Sequence, residues 1–190
     1  MIQIRNSHLY YGLIAIVLHW GMALLVFALI SSGLYMVDLD YYSEWYYLAP
    51  WWHKSIGIIV FILLLIRLIW RLNNIVPRPL PTYSSWELKL AHAVYFLFYI
   101  LLLILCVSGY FISTSKGVGI DFFSWFEIPA VTKLNTFSAD IVATTHEVSS
   151  YFLIFIFTLH FSAAIKHHFY DKDITLIRML KTQLKKEENI

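Results

Sequence analysis

Charge is what this sequence has least of. Asp, Glu, Lys and Arg make up 14% of its 190 residues, against roughly a quarter in an average globular domain. So few charges, beside 59% hydrophobic and 18% aromatic residues, cannot cover the surface of a water-soluble domain, and the remaining solvent is lipid. The same figures exclude a disordered chain. A formal net charge of +2 is too small for a nucleic-acid binder. The one cysteine, Cys106, has no intrachain partner, which excludes a disulfide scaffold and a thiolate metal cage.

What is present is arranged in long apolar runs. No charged side chain occurs between Arg5 and Asp38, between Lys89 and Lys116, or between Glu147 and Lys166, and the run from Trp51 to Trp70 holds only Lys54 and Arg67. Each run reaches or approaches the ~20 residues that carry a helix across a bilayer core. The pattern predicts transmembrane helices at residues 10–36, 51–72, 87–112 and 141–166, in one integral membrane domain over 1–190 with a cytoplasmic tail at 167–190. Barrel strands would alternate and be about half as long. The first run is too long for the core of a signal peptide, and no small-residue cleavage site follows it.

Basic residues gather at the N-terminus, the second connection and the tail: Arg5, Arg71, Arg78, Lys166, Lys172, Arg178, Lys181, Lys185 and Lys186. The first connection holds Asp38, Asp40 and Glu44 and no basic residue, and the third sets Lys116 and Lys133 beside Asp121 and Glu127. The positive-inside rule then puts both termini in the cytoplasm. Pro77 to Pro81 forms a stiff inner link that cannot be helical. The aromatic run Phe122, Phe123, Trp125 and Phe126 reads as an outer interfacial belt without chemistry.

Ionisable residues inside a membrane are costly, so each is a functional candidate. Five of the eight histidines, His19, His53, His92, His146 and His160, fall in the expected spans. Alternating span directions place His53 and His146 near the outer surface and His19 and His160 in the inner half. His146 and His160 are 14 residues apart, which on a helix is roughly 21 Å along the axis and only about 40° in azimuth. One face of the fourth helix thus offers imidazoles at two depths. His53 matches the outer one and His19 the inner one. Two such pairs are the donor set of two bis-histidine haems, each ring held between two helices. Zinc would need about four converging ligands, and copper or non-haem iron more donors per level. The alternative is four polar side chains hydrogen-bonded to neighbouring helices. The expected fold is therefore all-α, a transmembrane four-helix bundle holding two b-type haems.

Other residues carry two readings each. His92, near the inner start of the third span, competes with His19 to face His160, although His19 lies deeper. As a non-ligand it is a candidate contact for a haem propionate or a quinone, or a snorkelling side chain. Lys54, Arg67 and Arg71 are candidate propionate partners, or cations reaching for headgroups. Gly57, Ala23, Ala163 and Ala164 leave room for a porphyrin edge, and equally let helices approach closely. Lys166, His167 and His168 with Lys172 form a basic collar on anionic lipid, or part of a site for a quinone head group. With both axial positions filled, no side chain is expected to be catalytic and one-electron transfer is the natural activity. No Cys-x-x-Cys-His run exists, which excludes covalent c-type attachment.

These residues also form a pattern. Leu18-His19-Trp20, His53-Lys54-Ser55-Ile56-Gly57, the Pro77–Pro81 link, His92, His146 and Leu159-His160 lead to Lys166-His167-His168-Phe169-Tyr170-Asp171-Lys172-Asp173. Together they resemble the bacterial cytochrome b561 family, over nearly the whole chain. The resemblance implies two non-covalent b haems ligated by His19, His53, His146 and His160 in a bacterial inner membrane. It implies respiratory electron transfer and, as in characterised members, oxidation of superoxide by ubiquinone. It also associates the region of His167 and His168 with quinone. Other relatives are haem-bearing anchors that pass electrons from a hydrogenase or another dehydrogenase. The expected partners are thus the lipid bilayer, ubiquinone or another quinone, and a redox protein. Oxidoreductase and carrier both remain open.

Overall fold

Each apolar run folds as a helix, and polar residues at its ends decide where it starts. The computed structural model describes residues 2–182; Lys185 and Lys186, counted above toward the basic tail, lie outside the described residues. Four helices run in order: α1 (Leu13–Val37), α2 (Trp45–Leu72), α3 (Ser85–Thr114) and α4 (Thr136–Ile165). All four are long and apolar enough to cross a membrane, so the chain is a multi-pass membrane protein.

Two helices start earlier than expected. α2 begins at Trp45 and contains Pro50. A proline in the second turn removes one backbone bond next to a terminus whose first N–H groups have no helical partner anyway, so the helix survives it. α4 begins at Thr136 because Asn135 caps it, its side chain accepting the Ser138 N–H at 2.8 Å. A capped polar first turn carries no hydropathy signal. At α3 the Ser84 N–H donates to the Glu87 carboxylate at 2.9 Å, closing a capping box. The Pro77–Pro81 link is non-helical, as expected. α4 continues into a single wide turn at Lys166–Tyr170.

The third connection, expected as an interfacial belt, is an ordered element. It forms an antiparallel hairpin, β1 (Ile120–Phe122) with β2 (Phe126–Ile128), pairing Ile120 with Ile128 and Phe122 with Phe126. Its tip holds Phe123 and Ser124 at φ 49° and 58°, a left-handed turn that usually selects glycine or asparagine. The Asp121 carboxylate offsets that strain by accepting the Ser124 N–H at 3.0 Å and the Trp51 indole N–H at 2.8 Å.

Consecutive helices pack side by side, α1 on α2, α2 on α3 and α3 on α4, and among the other helices α4 packs closely on α3 alone. At mid-depth Met22, Val26, Val60, Leu64, Leu102 and Leu153 form one buried cluster. Lipid supplies no hydrophobic drive between helices, so this cluster holds by close packing.

A seven-residue step organises the bundle above and below that cluster. Two turns return a side chain to nearly the same face, roughly 10 Å further along. The triplets are His19–Val26–Gly33 on α1, His53–Val60–Arg67 on α2, Tyr95–Leu102–Gly109 on α3 and His146–Leu153–His160 on α4. Each middle member belongs to the buried cluster. A dry layer therefore separates two polar levels.

Candidate functional site

The level on the hairpin side, outer by the positive-inside expectation, is built from His53 and His146, each with a serine of a neighbouring helix against it. Ser32 Oγ lies 2.9 Å from His53 Nδ1, and Ser108 Oγ lies 2.9 Å from His146 Nδ1. Ser32 Oγ also reaches the Leu29 carbonyl at 3.2 Å and Ser108 Oγ the Ile104 carbonyl at 2.6 Å. A hydroxyl that donates to its carbonyl accepts from the imidazole Nδ1–H, the tautomer whose Nε2 lone pair is free. In that tautomer the serine is an orienting partner behind a metal-binding Nε2. The level is also shaped by glycine. A Cβ at Gly109 would stand 3.2 Å from His146 Cε1, and one at Gly33 3.5 Å from His53 Cε1.

The hairpin closes this level from outside. Phe123 at its tip packs edge-on against Trp51 and Trp52, ring centroids 5.6 and 5.4 Å apart. Its N–H donates to Ser55 Oγ at 3.4 Å, so the tip brackets His53 in sequence.

The inner level brings His19 and His160 together. Their ring centroids are 6.1 Å apart at 67°. One metal atom joined to both imidazoles by bonds of roughly 2 Å would set the ring centres about 6 Å apart. In its spacing the inner pair is compatible with one metal atom shared by both imidazoles, and α4 meets α1 there although the two helices do not otherwise pack closely. Phe98 on α3 flanks His160 at 5.4 Å. Arg67 replaces the serines: its Nη2 donates to His19 Nδ1 at 3.0 Å, and its Nη1 lies 3.9 Å from Met22 Sδ.

Other expected residues separate by location. Arg71 lies over the Tyr95 ring, 3.5 Å from its centroid. Lys54 is half-buried beside His53, whereas His92 is exposed on α3 and joins neither level. His167 belongs to an ion-pair cluster, its Nδ1 2.9 Å from Asp173 Oδ2 and 3.0 Å from Asp171 Oδ2. Lys166 Nζ binds the same Asp171 oxygen at 2.7 Å, placing an ammonium where a cation would need a ligand. His168 Nδ1 is buried without a partner among the described residues.

Beyond that cluster the chain folds back as a strap. Tyr83 packs against His167, ring centroids 5.0 Å apart and tilted by 44°, and its hydroxyl hydrogen-bonds Thr175. Arg178, buried, donates to the Arg78 carbonyl at 3.0 Å, and the Trp20 indole donates to the Met179 carbonyl at 2.7 Å. Trp20 follows His19, so the strap is tied next to an inner-level histidine. Burial works against the Asp173 carboxylate, yet hydrogen bonds from Thr175 and the adjacent His167 hold its carboxyl below the usual range. Burial pushes the Tyr83 hydroxyl up.

Sequence reasoning missed Ser32, Ser108, Gly33, Gly109, the hairpin and the strap. Two seven-residue steps, from His19 through Val26 to Gly33, were the available signal for one of them.

Comparison with known proteins accords with this architecture. The profile described as "Prokaryotic cytochrome b561" matches residues 10–182. The chain is 41% identical over 170 residues to "Cytochrome b561 homolog 2" of Escherichia coli (strain K12), covering 90% of each chain. It is 30% identical over 180 residues to "Probable superoxide oxidase CybB" of Yersinia pestis, covering 91% of this chain and 97% of that one. "Cytochrome b561 homolog 1" of Escherichia coli (strain K12) is 30% identical over 138 residues, 73% of this chain and 78% of the relative. On the extent of these matches, with four membrane-length helices beneath them, the chain belongs to the prokaryotic cytochrome b561 family.

Proposed function

We propose that this protein carries electrons across a bacterial inner membrane, both termini inside, through two bis-histidine b haems that exchange electrons with a quinone. His53 and His146 hold the outer haem, His19 and His160 the inner one. The observation that carries this reading is the meeting of His19 and His160, rings 6.1 Å apart, between two helices that otherwise do not pack closely. Haem bound at these pairs supplies a one-electron couple without an open coordination position.

The chain's own residues do the rest. Ser32 and Ser108 orient the outer imidazoles. The layer of Val26, Val60, Leu102 and Leu153 excludes water between the levels. Lys54 outside and Arg67 and Arg71 inside offer cations to haem carboxylates. Lys166, His167, His168 and the strap form the inner surface that meets the quinone head group. Superoxide is the proposed outer donor, which the name of the Yersinia pestis relative supports.

Purified full-length protein mixed separately with a quinol and with superoxide tests the reading. Haem reduction by both is the expected result. Reduction by neither, restored by a co-purified dehydrogenase, would make the chain an anchor for that partner instead.

A further inference from the structure

From Asn6 to His53 the chain has three acidic residues, Asp38, Asp40 and Glu44, and no lysine or arginine. All three lie in the connection between α1 and α2 and are exposed. The ion pairs among the described residues all lie at Lys166 and His167, at the opposite end of the bundle. These three carboxylates therefore have no ion-pair partner among the described residues.

Interleaved with them is an aromatic cluster. Tyr41 packs edge-on against Tyr42, Tyr46 and Tyr47, ring centroids 5.9, 5.5 and 6.5 Å apart, and Tyr46 packs against Tyr47 at 5.0 Å. Tyr42 is nevertheless 94% exposed and Tyr47 71%. One helical turn below Tyr47, Trp51 is fixed by the Asp121 carboxylate at 2.8 Å and by the Phe123 ring at 5.6 Å. Glu44, Tyr47, Leu48 and Trp51 line an open hollow of about 370 Å³.

Aromatic residues at the end of a membrane helix are ordinarily a headgroup belt. Length argues otherwise here. The 28 residues of α2 make roughly 42 Å of helix, against about 30 Å of hydrocarbon core. Arg67 and Arg71 hold its other end near the opposite interface, so its first turns stand clear of the hydrocarbon. Carboxylates are also out of place in a belt, because anionic lipid repels them. A carboxylate beside two aromatic rings instead recognises an alkylammonium or guanidinium, held by charge and by the ring faces. Exposed Tyr and Trp are the residue types that anchor protein interfaces.

We propose that this acidic aromatic surface docks a soluble protein through a lysine- or arginine-rich patch, with one cationic side chain seated among Glu44, Tyr47 and Trp51. Asp38 and Asp40 steer the patch in. Tyr47 stands roughly 9 Å along the helix from His53, which places the docked partner to exchange electrons with the outer pair. That service rests on the two-haem reading above; the docking does not.

The test measures binding, whatever the haem content, with the full chain in phosphatidylcholine nanodiscs and a small basic c-type cytochrome as the probe. The unaltered chain should bind the probe more tightly than empty nanodiscs do, and the affinity should fall steeply as salt is raised. The triple variant Asp38→Asn, Asp40→Asn, Glu44→Gln should lose roughly tenfold or more at low salt. Tyr47→Ala should lose roughly fivefold or more and keep the salt dependence. The same cytochrome with its lysines acetylated asks the question from the partner's side and should not bind. Binding that is unchanged in the triple variant, or no stronger than that of empty nanodiscs, would overturn the proposal while leaving two haems in place. In the second case, phosphatidylethanolamine that stays with the purified chain and is lost in Glu44→Gln would assign the hollow to a lipid headgroup instead.

Discussion

The outer and inner levels of this bundle are made by the same step along the same helices, yet they are prepared differently. At one, a serine hydroxyl lies 2.9 Å from each imidazole Nδ1; at the other, a guanidinium donates to the Nδ1 of His19 at 3.0 Å. Position along a helix decides which residues can meet. The neighbour behind each imidazole decides what it can do when they meet. A pair of histidines is thus a coordinate, and its chemistry belongs to residues such as Ser108 and Arg67.

The largest test of this contrast removes the pairs themselves. His53→Ala or His146→Ala should lower haem content by about one per chain and spare the inner haem. His19→Ala or His160→Ala should do the converse, and His92→Ala should retain both. Pyridine haemochrome assay against protein mass reads all five. Loss of a haem in His92→Ala but not in His19→Ala would reverse the inner assignment.

Next in size are the partners behind the ligands. Ser108→Ala and Ser32→Ala should weaken outer haem binding by about 10- to 100-fold and leave inner binding unchanged. Equal loss at both levels, measured by haem transfer to an apo-globin acceptor, would mean that the serines support the bundle rather than the outer imidazoles.

Smaller effects come from glycine. A methyl group at Gly109 would press on His146 Cε1 at 3.2 Å, whereas at Gly33 it would meet His53 at an ordinary 3.5 Å. Gly109→Ala should therefore speed outer haem loss several-fold, and Gly33→Ala should change it less. An added Cβ at Gly57 meets nothing within 4 Å. Gly57→Ala should stabilise the haem-free chain by up to about 1 kcal/mol and weaken haem retention where a porphyrin edge lies against α2. Thermal unfolding with and without haem separates these.

The smallest effect lies at the strap. The Asp173 carboxyl is held below its usual range, so its contribution to docking is present above its unfolded pKa of about 4 and is lost as pH falls through the lower folded value. Tyr83 is shifted upward, so its contribution is present below its unfolded value of about 10 and is lost as pH rises through the folded one. Hydrogen exchange over residues 173–180 should therefore stay slow between these limits and rise at both ends. Uniform exchange across that range would mean that neither group holds the strap.

The large-scale plan was legible because lipid imposes it. Charge-free runs marked the helices, and the 14 residues between His146 and His160 put two imidazoles on one face. The rest was hidden by ordinary-looking residues. Ser32 and Ser108 read as common small polar residues of membrane helices, and only tertiary packing turns them toward imidazoles. Asn135 carries no hydropathy, so the first turn of α4 was invisible. The turn at Phe123 and Ser124 lacks glycine and is paid for by Asp121 and Trp51 from outside the tip. The strap beyond the Lys166–Lys172 collar read only as tail because what ties it down lies far off in sequence, Arg178 on the Arg78 carbonyl and Met179 under the Trp20 indole.

The claim on which everything else depends is that four histidines hold two haems. Haem-to-polypeptide stoichiometry measured with a redox-titrated difference spectrum on the purified full chain tests it directly. The account predicts about two b haems per chain, low-spin from bis-histidine ligation, with two resolvable midpoint potentials. A protein that stays colourless after haem supplementation, or saturates at one haem with all four histidines intact, would contradict it.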